Sequence, residues 1–288
     1  MSRLKMKQLF YFLLLFSTVP GFSQDQIIEG MVVDAKTRKP IPYAAIGILG
    51  ENVGTVSNED GHFRLAIPSK FIYDTLTFSE VVHVPKKLSV TYLLNRQEIV
   101  IALEEAVMEL RTVEITPDKE KRSYEKLGVK PMFYWGSCYA NFKGGAQIAQ
   151  LMEASAYPVF LSKARIKVGD NKLEKVNMRV RVLEKMTNGL PGQDVFEGVF
   201  INIAYQEGWV EVDLSHKNLI FNEDFFVCFE FLNVQWEQTD GYFSIVCSET
   251  DSFSRKQLVR NASLGKWENS LPGQKHIYTI GAEVYRLK

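Results

Sequence analysis

Three cysteines, four histidines and several adjacent carboxylate pairs are the side chains of this 288-residue chain with covalent or metal chemistry to offer. Trp135-Gly136-Ser137-Cys138-Tyr139 matches four of the five positions of a cysteine-hydrolase nucleophile signature, with His276 far downstream as a base. The mechanism does not follow from the match. A thiolate nucleophile needs the positive end of a helix or a cation to lower its pKa, and Tyr139-Ala140-Asn141-Phe142-Lys143-Gly144-Gly145 does not start a helix. No glutamine stands a turn upstream to complete an oxyanion hole, and no asparagine follows His276 to orient its imidazole. The spacing predicts a strand edge running into a glycine turn.

His62, His83, His216 and His276 each stand alone, without the closely spaced partner that a zinc site takes from one element. Glu59-Asp60, Glu104-Glu105 and Glu223-Asp224 offer carboxylates, but glycoside hydrolysis needs two of them facing each other across roughly 5 to 10 Å. Neighbours on a strand or turn point apart. The same loops lack the further oxygen ligands of a calcium site, and no glycine-rich phosphate loop opens a helix. The expectation is no catalytic residue, no metal and no cofactor.

Aromatic side chains are more informative, because flat rings on a sheet face hold sugars and extended peptides in many non-catalytic modules. In Gly208 to Leu214, Val210, Val212 and Leu214 alternate with Trp209, Glu211 and Asp213. Strand parity therefore puts the Trp209 ring on the outer face, and Trp209 is the ligand-binding candidate.

The elements positioning these residues are strands. Short runs broken by Gly, Pro, Asn and Asp dominate from Ile27 onward, and helical periodicity is nearly absent. Lys175 to Lys185 alternates Val176, Met178, Val180 and Val182 with Asn177, Arg179 and Arg181, which predicts one buried and one wet face. Turns are expected at Asn58 to Gly61, Gly169 to Asn171, Asn188-Gly189 and Leu190 to Gly192. A strand candidate from Glu105 to Thr116 ends at Pro117, where a charge run follows and marks a linker.

Arg3, Lys5 and Lys7 precede the apolar run Leu9 to Phe16, with Gly21 and Ser23 before a cleavage point. This is the layout of a secretory signal peptide, and the run is shorter than the roughly 20 residues of a membrane helix. Cys138, Cys228 and Cys247 are an odd number, so at most one internal bridge forms. Cys228 and Cys247 lie in strand-like runs where a cross-strand bridge is geometrically conceivable, and buried reduced thiols are the expectation. The 34 basic and 34 acidic residues balance, which leaves no global field to draw the chain to nucleic acid or anionic lipid.

Residues 27 to about 80 run Ile27-Ile28-Glu29-Gly30-Met31-Val32-Val33-Asp34, then Pro40-Ile41-Pro42-Tyr43-Ala44-Ala45-Ile46-Gly47-Ile48, then Gly54-Thr55-Val56-Ser57-Asn58-Glu59-Asp60-Gly61-His62-Phe63-Arg64-Leu65. This pattern resembles the carboxypeptidase-regulatory-like domain, a transthyretin-like β-sandwich found at the front of exported and outer-membrane proteins of the Bacteroidetes group. The resemblance implies an architecture and carries over no catalytic residue. Val82-His83 stands where the family usually has a Gly-Tyr pair. The second half is similar to the β-rich half that follows this module in small exported proteins.

The expected fold is all-β. A signal peptide (1–23) is followed by a transthyretin-like or Ig-like β-sandwich (24–116), a linker (117–126) and a second, jelly-roll-like β-sandwich (127–288). The expected function is non-catalytic binding or docking at the periplasm or cell surface, with a protein or glycan partner, no nucleic acid and no membrane span in the mature chain. A hydrolase assembled from scattered residues and a structural subunit of an envelope complex are the alternatives.

Overall fold

The computed structural model describes residues 25–106, 121–129, 134–139, 144–234, 242–249, 257–270 and 276–287, with the backbone alone for a few strand residues such as 134–139. Strands dominate these residues, joined by one short α-helix, Val90–Leu94, and two 3-10 turns, Ser69–Phe71 and Ser215–Lys217. The expected all-β class is what the chain forms. No helix among the described residues is long and apolar enough to cross a membrane.

The first unit is a sandwich of two small sheets. One contains β1 (Gln26–Asp34), β4 (His62–Ile67) and β7 (Val100–Leu103) in the order β4-β1-β7. Facing it, β2 (Ala45–Ile48), β3 (Gly54–Val56), β5 (Thr75–Ser79) and β6 (Lys86–Ser89) run in the order β3-β2-β5-β6. Alternation along β4 buries Phe63, Leu65 and Ile67 and turns His62, Arg64 and Ala66 outward. Phe63 then meets Phe78 of the opposite sheet edge-on, with ring centres 5.6 Å apart.

The Asn58–Gly61 turn forms where the residues predict it. Asn58 Oδ1 accepts from the amides of Asp60 (3.0 Å) and His62 (2.9 Å), which fixes the chain's entry into β4. Gly61 takes φ +77°, and a Cβ there would lie 2.6 Å from the Val32 carbonyl oxygen, so both backbone conformation and space require glycine.

Val82-His83 closes the unit in its own way. His83 Nδ1 lies 2.7 Å from Glu80 Oε2 and its Nε2 lies 3.3 Å from Asp34 Oδ2, while the flanking amide of Val84 donates to Glu104 O (2.7 Å). Asp34 also accepts from the hydroxyl (2.7 Å) and amide (2.5 Å) of Thr37. These bonds, the Thr37 hydroxyl foremost, hold the Asp34 carboxyl down at about 2. A carboxyl depressed on folding stabilises above its unfolded pKa, roughly 3.9, and loses that contribution as pH falls through its folded value. The stability gap between wild type and Asp34→Asn is therefore expected to be full above roughly pH 4 and to close as pH falls towards 2. Urea midpoints measured across that window check it, and a gap constant with pH would contradict it.

The second unit is a larger sandwich whose strand pairs are all antiparallel. Its seven-stranded sheet orders β13 (Pro191–Asp194), β12 (Val176–Lys185), β17 (Phe225–Val234), β10 (Gln147–Met152), β19 (Gln257–Arg260) and β20 (Glu268–Asn269), with β14 (Val199–Ile203) also on β12. The eight-stranded sheet orders β21 (His276–Tyr278), β18 (Phe243–Glu249), β11 (Val159–Asn171), β22 (Ile280–Leu287) and β8 (Arg122–Gly128). β15 (Gly208–Asp213) and β16 (Ile220–Phe221) add to β11, and β9 (Tyr134–Tyr139) adds to β18. Val180, Phe229 and Phe231 of one sheet and Ile166, Ile245 and Ile280 of the other share a single core.

Several expectations change. β12 has no wet face over its first half, because Asn177 and Arg179 are buried along with Met178 and Val180. Other chain elements cover that side of the sheet, which a period of two cannot report. Gly169 to Asn171 is the end of β11, and Pro191-Gly192 begins β13. Residues 122–126 of the expected linker belong to β8, which pairs with β22; residues 107–120, with Pro117 and most of the Glu105 to Thr116 candidate, lie outside the described residues. Cys228 is free and buried, and burial pushes its thiol up to about 12. Cys247 is disulfide-bonded, so reduced thiols describe Cys228 and not Cys247. A bridge between the two is not made, since β17 and β18 lie in opposite sheets. Backbone pairing places Cys138 of β9 opposite Ile245 of β18.

Candidate functional site

Trp209 sits on β15 with Val210 and Val212 buried beneath the strand, as parity requires. Its ring is only half-exposed. The Arg165 guanidinium of β11 stacks 4.1 Å from the indole centre, and Arg165 Nε lies 3.2 Å from Glu211 Oε1. Lys163 adds a 3.0 Å bond to the same carboxylate. One face of the ring is thus occupied by the protein. Trp209→Ala is expected to cost about 2 kcal/mol, for a cation–π contact plus partial burial, against roughly 3 to 5 for a core tryptophan. Urea unfolding measures it; a loss above 4 kcal/mol would place the ring in the core.

The other singled-out residues are dispersed. Tyr134–Tyr139 is a strand, while residues 140–143 that follow it and the side chains of Cys138 and His276 lie outside the described residues. His83 belongs to the clamp on Asp34, and His216 is exposed beyond β15. Asp224 accepts from the Tyr157 hydroxyl (2.6 Å) and Lys185 (2.6 Å), two bonds that tie loops of the second unit together. Among the described residues, no three His, Cys, Asp or Glu side chains gather as they would around a metal.

What the fold does bring together is a seam between the two units. Tyr43 and Glu59, from the two loops that flank β2 and β3, reach across to β12 and β14. Glu59 Oε1 accepts from Lys175 (2.6 Å), Tyr43 (3.1 Å) and Asn177 (3.2 Å), and Asn177 in turn accepts from Asn202 (2.7 Å). The Tyr43 ring lies 5.2 Å from that of Phe200. The Lys175 bond holds the Glu59 carboxyl below its usual range, and burial beside Glu59 pushes the Tyr43 hydroxyl up to about 12. Further along, the 261–266 turn packs on the β2–β3 hairpin, where the Gly50 amide donates to Leu264 O (2.8 Å).

The seam is close enough that side chains are excluded from parts of it. A Cβ on Gly47 would lie 2.5 Å, and one on Gly54 2.3 Å, from the carbonyl oxygen of Ser263. From sequence, Gly54 reads as relief of crowding within a strand. The neighbouring strand does crowd it, with Ile46 O 2.9 Å from such a Cβ, but the closest approach comes from the other unit.

Beside this contact lies a cleft of about 540 Å³, lined by Glu29, Thr55, Val56, His62 and Arg64 of the first unit and by Gly144 and Leu232 of the second. β3 and β4 are the outermost strands of their sheets, so the cleft runs between two strand edges. Met31 N donates to Ile99 O on the β7 side and Val32 N to Gly61 O on the β4 side. Antiparallel alternation then turns the Arg64 amide and carbonyl away from β1, toward the edge. His62 and Arg64 are exposed, and Arg64 Nε bonds Glu29 Oε1 (2.5 Å) at the rim. In the sequence Glu59 stands out only as half of an adjacent carboxylate pair and His62 only as a lone histidine, and neither Tyr43 nor the cleft stands out as a site; these loops carry the family-like pattern.

The protein is a two-unit β-sandwich chain with a cleft at its internal seam. Residues 28–115 match the family model of the CarboxypepD_reg-like domain, and the first unit is a β-sandwich domain of that kind. No curated protein sequence matches the chain. Among solved structures, a clostridial cysteine protease captured after propeptide cleavage aligns with a TM-score of 0.41 and 9% identity, covering 92% of this chain and 72% of that one. Likeness at that level transfers no residue role.

Proposed function

We propose that the chain is exported and works without catalysis as a binding module, taking an extended protein segment into the seam cleft. The observation that carries this reading is a cleft lined from both units and bordered by two strand edges. Edge strands carry unpaired amides and carbonyls, and an added extended segment satisfies them while neighbouring side chains supply selectivity. Arg64, Glu29 and His62 are the polar side chains at hand. The basic start and the Leu9 to Phe16 run support export, with processing near Gln24.

Peptide and glycan arrays probed with the wild type and with a His62→Ala/Arg64→Ala double variant test the site. Both side chains are exposed and the Arg64 pair is a surface one, worth under about 1 kcal/mol, so the variant should fold normally. Peptide capture at least tenfold weaker in the variant is expected. Capture of glycans alone, undiminished peptide capture, or turnover of an arrayed substrate would each overturn the reading. N-terminal mass spectrometry of protein from its native host tests export, and an intact Met1 would contradict it.

A further inference from the structure

Main-chain groups decide how a segment can lie in the seam cleft, and most of those around it are already bonded. Ser57 N donates to Ala44 O (3.0 Å), and Ser57 O accepts from Tyr43 N (3.2 Å). His62, which alternation turns toward the same open side as Arg64, donates its amide to Asn58 Oδ1 (2.9 Å) and accepts the Asn58 amide on its carbonyl (2.7 Å). The turn therefore closes the start of the β4 edge. Pairing with an incoming strand can begin at Arg64 and run on to Ala66, both exposed residues whose amides and carbonyls point away from β1.

Side chains then set what that strand carries. On the outer face of the three-stranded sheet, Glu29 and Ile27 of β1 stand in register beside Arg64 and Ala66 of β4. A residue paired with Arg64 extends the first of these rows, so that Arg64 lies between it and Glu29. Glu29 Oε1 takes the Nε–H of Arg64 (2.5 Å), and the guanidinium side chain, 68% exposed, has four further N–H bonds about its two terminal nitrogens. A carboxylate on the incoming strand accepts from these, whereas a cation there would stand directly opposite a like charge.

Two residues along, the row is Ile27 and Ala66. Ile27 is 48% exposed and alanine is too short to cover it, so a large apolar side chain paired with Ala66 removes apolar surface from water. The residue between turns to the other face, toward the buried Val56 and Leu232 of the cleft wall.

We propose that the cleft selects an acidic extended segment of a partner protein, antiparallel to β4, with a carboxylate residue paired to Arg64 and a large apolar residue two positions before it paired to Ala66. This rests on the peptide reading of the cleft and adds the side-chain class and the register. Antiparallel pairing is the more stable kind per residue, and the charge of Arg64 is complementary to the segment's. Glu29, of like sign to the ligand's carboxylate, moderates the preference.

Fluorescence anisotropy of the full chain with labelled nine-residue peptides provides the test. The reference peptide has Leu-Val-Glu at its centre, and its counterparts carry Gln or Lys for the Glu. Dissociation constants about threefold higher for Gln and about tenfold higher for Lys are expected at low salt, and the spread should narrow at high salt. N-methylation of the Glu amide removes the donor to Arg64 O and should weaken binding about tenfold. Arg64→Glu should invert the order, with the Lys peptide bound best, and Glu29→Gln should tighten the Glu peptide about twofold while leaving the Gln peptide unchanged. Should Arg64→Glu not fold, Arg64→Gln should level the three peptides. Equal affinity for the Glu, Gln and Lys peptides, or an order unchanged in the Arg64 variants, would overturn the selectivity while the peptide reading of the cleft stands. Indifference to N-methylation would overturn the pairing at Arg64. Binding of none of the peptides, or a cleft filled by a second copy of the chain in a dimer seen by sedimentation, would overturn both.

Discussion

Replacing Glu230 with alanine is expected to destabilise the second unit by about 3 to 5 kcal/mol, the cost of breaking a buried ion pair from one side. Glu230 is 0% and Arg179 3% exposed, so neither has water to fall back on. Without Glu230, Arg179 loses both of its bonds to a carboxylate, Gln147 loses its acceptor, and Arg181 loses a second counter-charge 3.6 Å away. Desolvation set the cost of placing these charges, and only their mutual pairing offsets it. A second variant separates pairing from packing. Arg179→Met/Glu230→Leu removes both charges while keeping apolar volume, and should recover most of what Glu230→Ala loses. All four tryptophans, Trp135, Trp209, Trp236 and Trp267, follow the first unit in the chain, so indole fluorescence in urea follows the second unit selectively. A loss under 1 kcal/mol for Glu230→Ala would mean that this carboxylate is not what neutralises these arginines.

Gly54→Ala is expected to open the seam rather than unfold either sandwich. Its Cβ would stand 2.3 Å from Ser263 O and 2.9 Å from Ile46 O, and both are backbone atoms that no rotamer change moves aside. Overpacking of this kind costs roughly 1 to 3 kcal/mol or more. The first unit is tied to the 261–266 turn through this hairpin, so the strain should be relieved there. Hydrogen exchange at the Gly50 amide, which donates to Leu264 O, reads the contact directly. Exchange at Gly50 should rise at least tenfold in Gly54→Ala while the core amides of β1 and β17 stay protected. Gly189→Ala is the matched control. That glycine has φ +80° and open space around it, so alanine there should cost roughly 1 kcal/mol of backbone strain and leave the seam closed. Unchanged exchange at Gly50 in Gly54→Ala would show that the close approach is not what sets the seam.

Much of the fold is local and was legible. The alternation of Phe63 and Leu65 places β4, the Asn58 to Gly61 residues build their turn from their own side-chain bonds, and Val210 and Val212 orient β15. Those features depend on residues two to four positions apart, the range over which a strand's pleat or a turn operates. The CarboxypepD_reg-like domain is legible for the same reason, since its pattern lies in such turns and strand starts.

The sequence by itself determined that strands form, where several of them turn and which residues face the core of each sandwich. Only the tertiary structure decided what lies on the outer faces. Asn177 and Arg179 belong to the polar half of β12's alternation, yet packing over the sheet buries them and forces their pairing with residues such as Glu59 and Glu230, far away in the chain. Trp209 faces outward as parity requires, and Arg165 of another strand covers it. Gly47 and Gly54 are glycine because Ser263, more than 200 residues later, presses its carbonyl against them. Pleat and turn geometry are properties of adjacent residues, whereas burial of an outer face depends on which distant surface arrives there, and a period of two carries no information about that surface.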